Sequence, residues 1–206
     1  MQSKINSLLD KSLIEKGVKI DKTAKIYPGV LISGTTIIDA GAIIMPGCVI
    51  VDSKVGKNTI VKNSYIEKSE IGDSCEIGPF SNLRPGSIIS DRVKVGAFCE
   101  TKNACVGRFS KISHLCYVGD AVIGERCNIG SGVVFANFNG KIKQKTHIGN
   151  HVFVGANVNL VAPLNICDNA YICAGTTVTE DVSEGAFVIG QARAVSKDCN
   201  PKIYWE

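Results

Sequence analysis

Aliphatic residues return at about every sixth position over most of this chain. The series reads Ile20, Ile26, Ile32, Ile38, Ile44, Ile50, Val55, Val61, Ile66, Ile71, Ile77, Leu83, Ile89, Val95, Thr101, Val106, Ile112, Val118, Ile123, Ile129 and Phe135. After an interruption it resumes at Ile148 and runs through Val154, Leu160, Ile166 and Ile172 to Val178. A single amphipathic helix would repeat at 3.6 and a lone strand at 2, so neither accounts for a period of six. A coil in which three short strands make one turn does account for it, because turns of this kind stack and each buries its apolar row against the next. The residue after the aliphatic position is often Gly, as at Gly56, Gly72, Gly96, Gly107, Gly124, Gly130, Gly149 and Gly155, where a missing Cβ lets neighbouring turns approach closely. Four places after the aliphatic position stands a small residue: Ala24, Thr36, Ala42, Cys48, Thr59, Cys75, Ser81, Cys99, Cys105, Ser110, Cys116, Cys127 or Thr176. The pattern predicts an all-β chain of parallel strands whose turns begin at Ile20, Ile38, Val55, Ile71, Ile89, Val106, Ile123, Ile148 and Ile166.

The two ends and one internal stretch break the pattern. In "MQSKINSLLDKSLIEKG", Ile5, Leu8, Leu9 and Leu13 follow helical spacing and Gly17 can stop a helix, which predicts a short helix over residues 2–16 capping the first turn. Residues 1–18 are therefore read as an N-terminal arm, 19–184 as the repeat domain and 185–206 as a tail in which the repeat decays and folds back over the last turns or a neighbour. Within the domain, residues 135–147, "FANFNGKIKQKTH", exceed one repeat by seven and must leave the coil as a loop. Turn stacking gains nothing from such an insert, and loops on rigid scaffolds often carry function.

Composition narrows the field. The chain has 206 residues, 45% hydrophobic and 20% charged, with a formal net charge of +4. So small and scattered an excess does not point to nucleic acid, while a basic groove for an anionic small molecule stays open. No apolar run reaches bilayer-spanning length and the amino terminus is not a signal peptide, so the expected location is the cytoplasm, away from membranes. Nine cysteines occur without a CxxC pair, and six of them fall in the small-residue slot, where a thiol serves as a small hydrophobe rather than a disulfide or metal ligand.

From about Ile71 onward the segments "LRPG", "VGAFCETKNACVG", "SHLCYVGD" and "NFNGKIKQKT" occur in one order. Together they resemble the C-terminal acetyltransferase domain of the bacterial bifunctional N-acetylglucosamine-1-phosphate uridylyltransferase/glucosamine-1-phosphate acetyltransferase, a member of the hexapeptide-repeat acyltransferases. The resemblance spans roughly residues 1–190. It implies a left-handed parallel β-helix, a homotrimer with active sites in grooves between subunits, acetyl-CoA as co-substrate, no metal in acetyl transfer, and the amine of glucosamine 1-phosphate as acceptor. It also implies a place in the synthesis of UDP-N-acetylglucosamine and cell-wall precursors. The nucleotide-binding uridylyltransferase half is not found in the sequence, so a separate uridylyltransferase is a candidate partner.

By matching position, His114 is the general base, a role that suits imidazole because it titrates near neutral pH. Its place two residues after Ile112 points it outward. Arg84 and Lys102 match phosphate-binding positions, Tyr117 and Asn128 sugar-contacting positions, and Lys143 a lysine that reaches over the substrate. Ser131, Asn137, Phe138, Ala156 and Ala174 match the acetyl-CoA groove. The chain departs from the family at Phe138 (usually Tyr), Asn103 (a second Lys), Ala156 (a small hydroxyl residue) and Gln191 (an Arg that Arg193 can replace). Three other readings compete. The acceptor can be a different amino sugar phosphate. The chain can be a trimeric scaffold without catalysis. Or His114, His147 and His151 can hold zinc across an interface, as in β-helix carbonic anhydrases.

Overall fold

The computed structural model describes residues 12–190. All described regular structure is short parallel β-strand, wound into a three-sided stack. Side one runs from Leu13–Ile14 through Leu31–Ser33 to Thr177–Val178, side two from Lys19–Ile20 to Leu164–Ile166, and side three from Lys25–Ile26 to Phe187–Val188. Side three is a 10-stranded sheet, while sides one and two merge into a 17-stranded sheet. The merger has a local cause: Glu100–Val106 and Tyr117–Ile123 run around their shared corner without a break, each serving both sides.

The hexad residues face inward and lie in register from turn to turn: Ile32 on Ile50, Ile50 on Ile66, Ile66 on Leu83 and Leu83 on Thr101 along side one. Every member of the series is buried except Ile20 and Ile26, which are half-buried near the first turn. Thr101 occupies an inward site because its hydroxyl is 2.8 Å from that of buried Ser87, so the interior holds no unpaired oxygen there. Phe135 is among the largest fully buried side chains.

Three expectations are corrected. The stretch Ser12–Lys16 is not helical: Leu13–Ile14 is a strand paired with Leu31–Ile32, the first rung of side one. The rest of the expected helix, residues 2–11, lies outside the described residues. At the other end, the repeat does not decay after Ser183, since Phe187–Val188 pairs in register with Tyr171–Ile172; the tail beyond 190 lies outside the described residues. Cys105 is exposed, unlike the other cysteines assigned to the small-residue slot. From Thr101 to Val106 the step is five residues, not six, so Ala104 takes the inward corner and Cys105 is turned outward. These short steps place a non-glycine residue in the left-handed region, Asn103 at φ 47° and Asp120 at φ 48°.

Candidate active site

Side one is flanked by two corners, and each brings part of the site. At the corner shared with side three, the residue two places after the inward position is Ala97, His114, Ser131, Ala156 and Ala174 on successive turns. Ala97 and His114 are in register, and the carbonyls of this column accept amides from the next turn: His114 from Gly132 (3.2 Å), Ser131 from Asn157 (2.7 Å), Ala156 from Gly175 (2.8 Å). His114 thus heads a line containing Ser131, Ala156 and Ala174. Its side chain is exposed, and its carbonyl also accepts from the Cys116 thiol at 2.9 Å, which secures the backbone behind the ring.

On side one itself, Arg84 and Lys102 follow inward Leu83 and Thr101, which are partners in register, so the two cations project from adjacent rungs, about 4.8 Å apart along the stack. Arg84 Nη1 donates to Glu100 Oε1 at 2.7 Å, and this bond with its charge raises the guanidinium above its ordinary value. Lys102 is pushed the other way. The neighbouring Lys143 ammonium lowers it most, followed by the charge of Arg84 and partial desolvation, while Asp120 pulls it back up. Three cations therefore converge, with the Glu100 carboxylate bonded to Arg84 and the Asp120 carboxylate acting on Lys102. Tyr117 lies on the rung above Glu100, in register with it, and folds its ring over Gly119: a Cβ there would meet the Tyr117 hydroxyl, with Cζ at 2.7 Å and Asn137 Nδ2 at 2.8 Å. Below Arg84 side one continues into an open groove of about 550 Å³ bordered by Tyr65, Phe80, Asn82 and Arg84.

The insert leaves at the opposite corner, between sides one and two, directly after Ala136, the last residue of the strand. It forms a small antiparallel turn in which Phe138 pairs with Lys143, and the Gln144 amide donates to the Asn137 carbonyl at 2.8 Å. Phe138 and Lys143 are exposed, whereas Asn137 is buried.

Structure thus gathers Arg84, Lys102, Tyr117, Lys143 and Asn137 around side one, and His114, Ser131, Ala156 and Ala174 along its corner. Asn128 stands apart. It projects from side three, in register with Lys111, and borders a cavity of about 400 Å³ with Arg92, Phe109 and Arg126. His147 lies on side two, opposite Val122 and Asn165, and no group of three or more His, Cys, Asp or Glu residues suited to a metal forms among the described residues. Glu100, Gly119 and Asp120 were not anticipated. Their signal was present in the short five-residue steps of "ETKNACV" and "YVGDAVI", which set what each corner presents.

Residues 45–121 match the family described as GlmU-like, C-terminal hexapeptide. The bifunctional protein GlmU of Clostridium kluyveri is 44% identical over 184 residues, covering 89% of this chain and 40% of that protein. That of Clostridium tetani is 44% identical over 185 residues, covering 90% and 41%. That of Acetivibrio thermocellus is 50% identical over 121 residues, covering 59% and 26%. The chain spans about two-fifths of the length of the two clostridial relatives. Among solved structures, UDP-N-acetylglucosamine O-acyltransferase (LpxA) from Moraxella catarrhalis RH4 matches with a TM-score of 0.55 at 18% identity, over 83% of this chain and 68% of that one. An Arabidopsis UDP-N-acetylglucosamine acyltransferase matches at 0.56 and 12%, over 84% and 68%. These two share the fold. No helix among the described residues is long and apolar enough to cross a membrane.

Proposed function

We propose that this chain transfers acetyl from acetyl-CoA to the amine of glucosamine 1-phosphate. The observation that carries the reading is the convergence on side one: an exposed His114 at one of its corners, and on its rungs Arg84 and Lys102, met by Lys143 of the insert, three cations whose mutual repulsion a phosphate dianion would relieve. The likeness to bifunctional GlmU proteins over most of the chain supports the same donor and acceptor.

In this reading acetyl-CoA lies along the corner column with its thioester near His114, against Ser131, Ala156 and Ala174, and Phe138 of the insert covers it. Arg84, Lys102 and Lys143 hold the sugar phosphate, which fixes where the amine arrives. Tyr117 turns its hydroxyl toward the sugar. The amine nitrogen attacks the thioester carbonyl carbon; the C–N bond forms, the C–S bond breaks, and the sulfur departs as the CoA thiolate. The proton lost by the nitrogen goes to the His114 imidazole. Asn128 projects from a different side of its own chain than Arg84 and Lys102, so it reaches the same sugar only from a neighbouring copy. This agrees with a homotrimer whose grooves are shared between chains. A separate uridylyltransferase would use the product.

Incubation with acetyl-CoA and a panel of phosphorylated amino sugars, read by mass spectrometry, tests the reading. Acetylated glucosamine 1-phosphate is expected. Preference for another amino sugar phosphate would move the acceptor, and no release of CoA thiol with any acceptor would refute the transferase. Replacement of His114 by Ala should lower kcat by about 10²–10⁴-fold, as for loss of a general base.

A further inference from the structure

At the corner where the insert departs, three polar residues occupy one position on successive turns: Asn103, Asp120 and Asn137. Each follows an inward residue by two, after Thr101, Val118 and Phe135. The middle member is a buried carboxylate, and the mechanism above gives it no task. Asn103 Nδ2 donates to Asp120 Oδ1 at 2.6 Å, and Asn137 Nδ2 donates to Asp120 Oδ2 at 2.5 Å. Both oxygens are thus engaged by amides from the turns below and above. A carboxylate offers acceptors on both sides, and no neutral side chain of this size does so.

The upper partner is the first residue of the insert. Beyond Asn137 the loop closes on itself through the Gln144 amide and the Phe138–Lys143 bridge, then re-enters the coil at Thr146. Lys143, on the far strand of this turn, reaches Lys102 on side one. The Asn137 side chain is buried, so the bond to Asp120 anchors the loop at its root.

We propose that Asp120 is a positioning residue that clasps the root of the 137–145 loop and so holds Phe138 and Lys143 over side one. The inference rests on the proposed transferase for its kinetic consequence, but its structural part stands without any substrate. The clasp takes its strength from two charge-assisted hydrogen bonds inside a buried corner, where an unpaired acceptor or donor is costly. Asp120→Asn keeps size and tolerates the left-handed backbone at this position, yet supplies one acceptor where two are needed. One of the two flanking amides then faces another NH₂ group.

The test uses the full chain and trypsin, with cleavage after exposed Lys141, Lys143 and Lys145 followed by mass spectrometry. Asp120→Asn should be cut at these sites about tenfold faster than the parent, as local opening of the loop becomes easier. The exchange Asp120→Asn with Asn137→Asp moves the carboxylate to the loop root and gives every acceptor in the column a matched donor. The amide placed at 120 accepts from Asn103 and donates to the new carboxylate, so protection should return to within about twofold of the parent. Should Asp120→Asn fail to fold, Asn137→Ala, which severs only the loop side of the clasp, should show the same acceleration. In the acetyl-transfer assay, Asp120→Asn should raise KM for the sugar phosphate about tenfold while kcat falls less, because Lys143 is misplaced but His114 is not. Unchanged cleavage in folded Asp120→Asn or Asn137→Ala, or an exchange variant cut as fast as the single, would overturn the inference. A parent chain that shows the cleavage pattern yet transfers no acetyl group would instead overturn the proposed function and leave the clasp standing.

Discussion

The ammonium of Lys143, carried by the insert, lies against that of Lys102, carried by side one, and holds it below the ordinary lysine range. Two like charges brought this close cost free energy in the empty groove and are relieved by a bound dianion. In the window between the lowered value and 10.5, the unfolded chain binds more protons than the folded one. The repulsion therefore opposes folding below the lowered value and fades as pH rises through it. Binding of a phosphorylated sugar should draw Lys102 back toward its usual value, so binding in mildly alkaline buffer should take up protons. Calorimetry in two buffers of different ionisation enthalpy measures this uptake. It should shrink in Lys143→Met, where the Arg84 charge and desolvation still lower Lys102 and affinity for the sugar phosphate also falls.

Gly119 is bare because Tyr117 covers it. In Gly119→Ala the new methyl meets the Tyr117 phenol, which can swing outward, and the buried Asn137 amide, which is held by Asp120. KM for the sugar phosphate should rise several-fold as Tyr117 is displaced, with a modest fall in melting temperature as the Asn137–Asp120 bond is strained. Gly96→Ala is the contrast. Its methyl would meet the carbonyl group of Ser113, backbone that has no room to yield, and overpacking of that kind costs about 1–3 kcal/mol. Melting curves and steady-state kinetics separate the two.

Phe135 is fully buried on side one between the Val118 and Leu160 rungs, in the strand that ends where the insert begins. Truncation to Ala should destabilise the chain by about 3–5 kcal/mol, from lost burial and an unfilled cavity. Denaturant unfolding checks this, and the loss should fall on the turns around the insert because each turn contacts only its neighbours.

Burial pushes the Cys48, Cys75 and Cys127 thiols up, which makes the reactive thiolate scarce. Cys105 and Cys167 are exposed. A chromogenic disulfide reagent should therefore modify Cys105 and Cys167 within minutes in the folded chain, and the three buried thiols only after denaturant is added. Early modification of Cys75 would contradict the interior assigned to it.

The inward ladder was legible residue by residue, since Ile112, Val118 and Ile123 repeat with the turn and need no knowledge of their neighbours. Cys105 was misread because a five-residue step looks like a six-residue one until the corner is seen, and the slip exchanges an inward Ala104 for an outward thiol. The terminal strands Leu13–Ile14 and Phe187–Val188 were missed for a related reason. Their local spacing is weak, and pairing with Leu31–Ile32 and Tyr171–Ile172 decides their conformation. In the candidate site, the resemblance pointed to Arg84, Lys102 and His114 individually. It did not reveal Asp120, whose two partners each lie 17 positions away along the chain and one turn away in space.

The amino-acid sequence by itself determined the three-sided stack, its interior and the point where the loop departs, because an apolar row of period six is buried when successive three-strand turns stack on one another. Tertiary structure alone decided which outward residues share a corner. Turns of five and six residues rotate side chains by different amounts, and only their stacking shows that Asn103, Asp120 and Asn137 form one column, that Lys143 meets Lys102, and that Asn128 faces away from both.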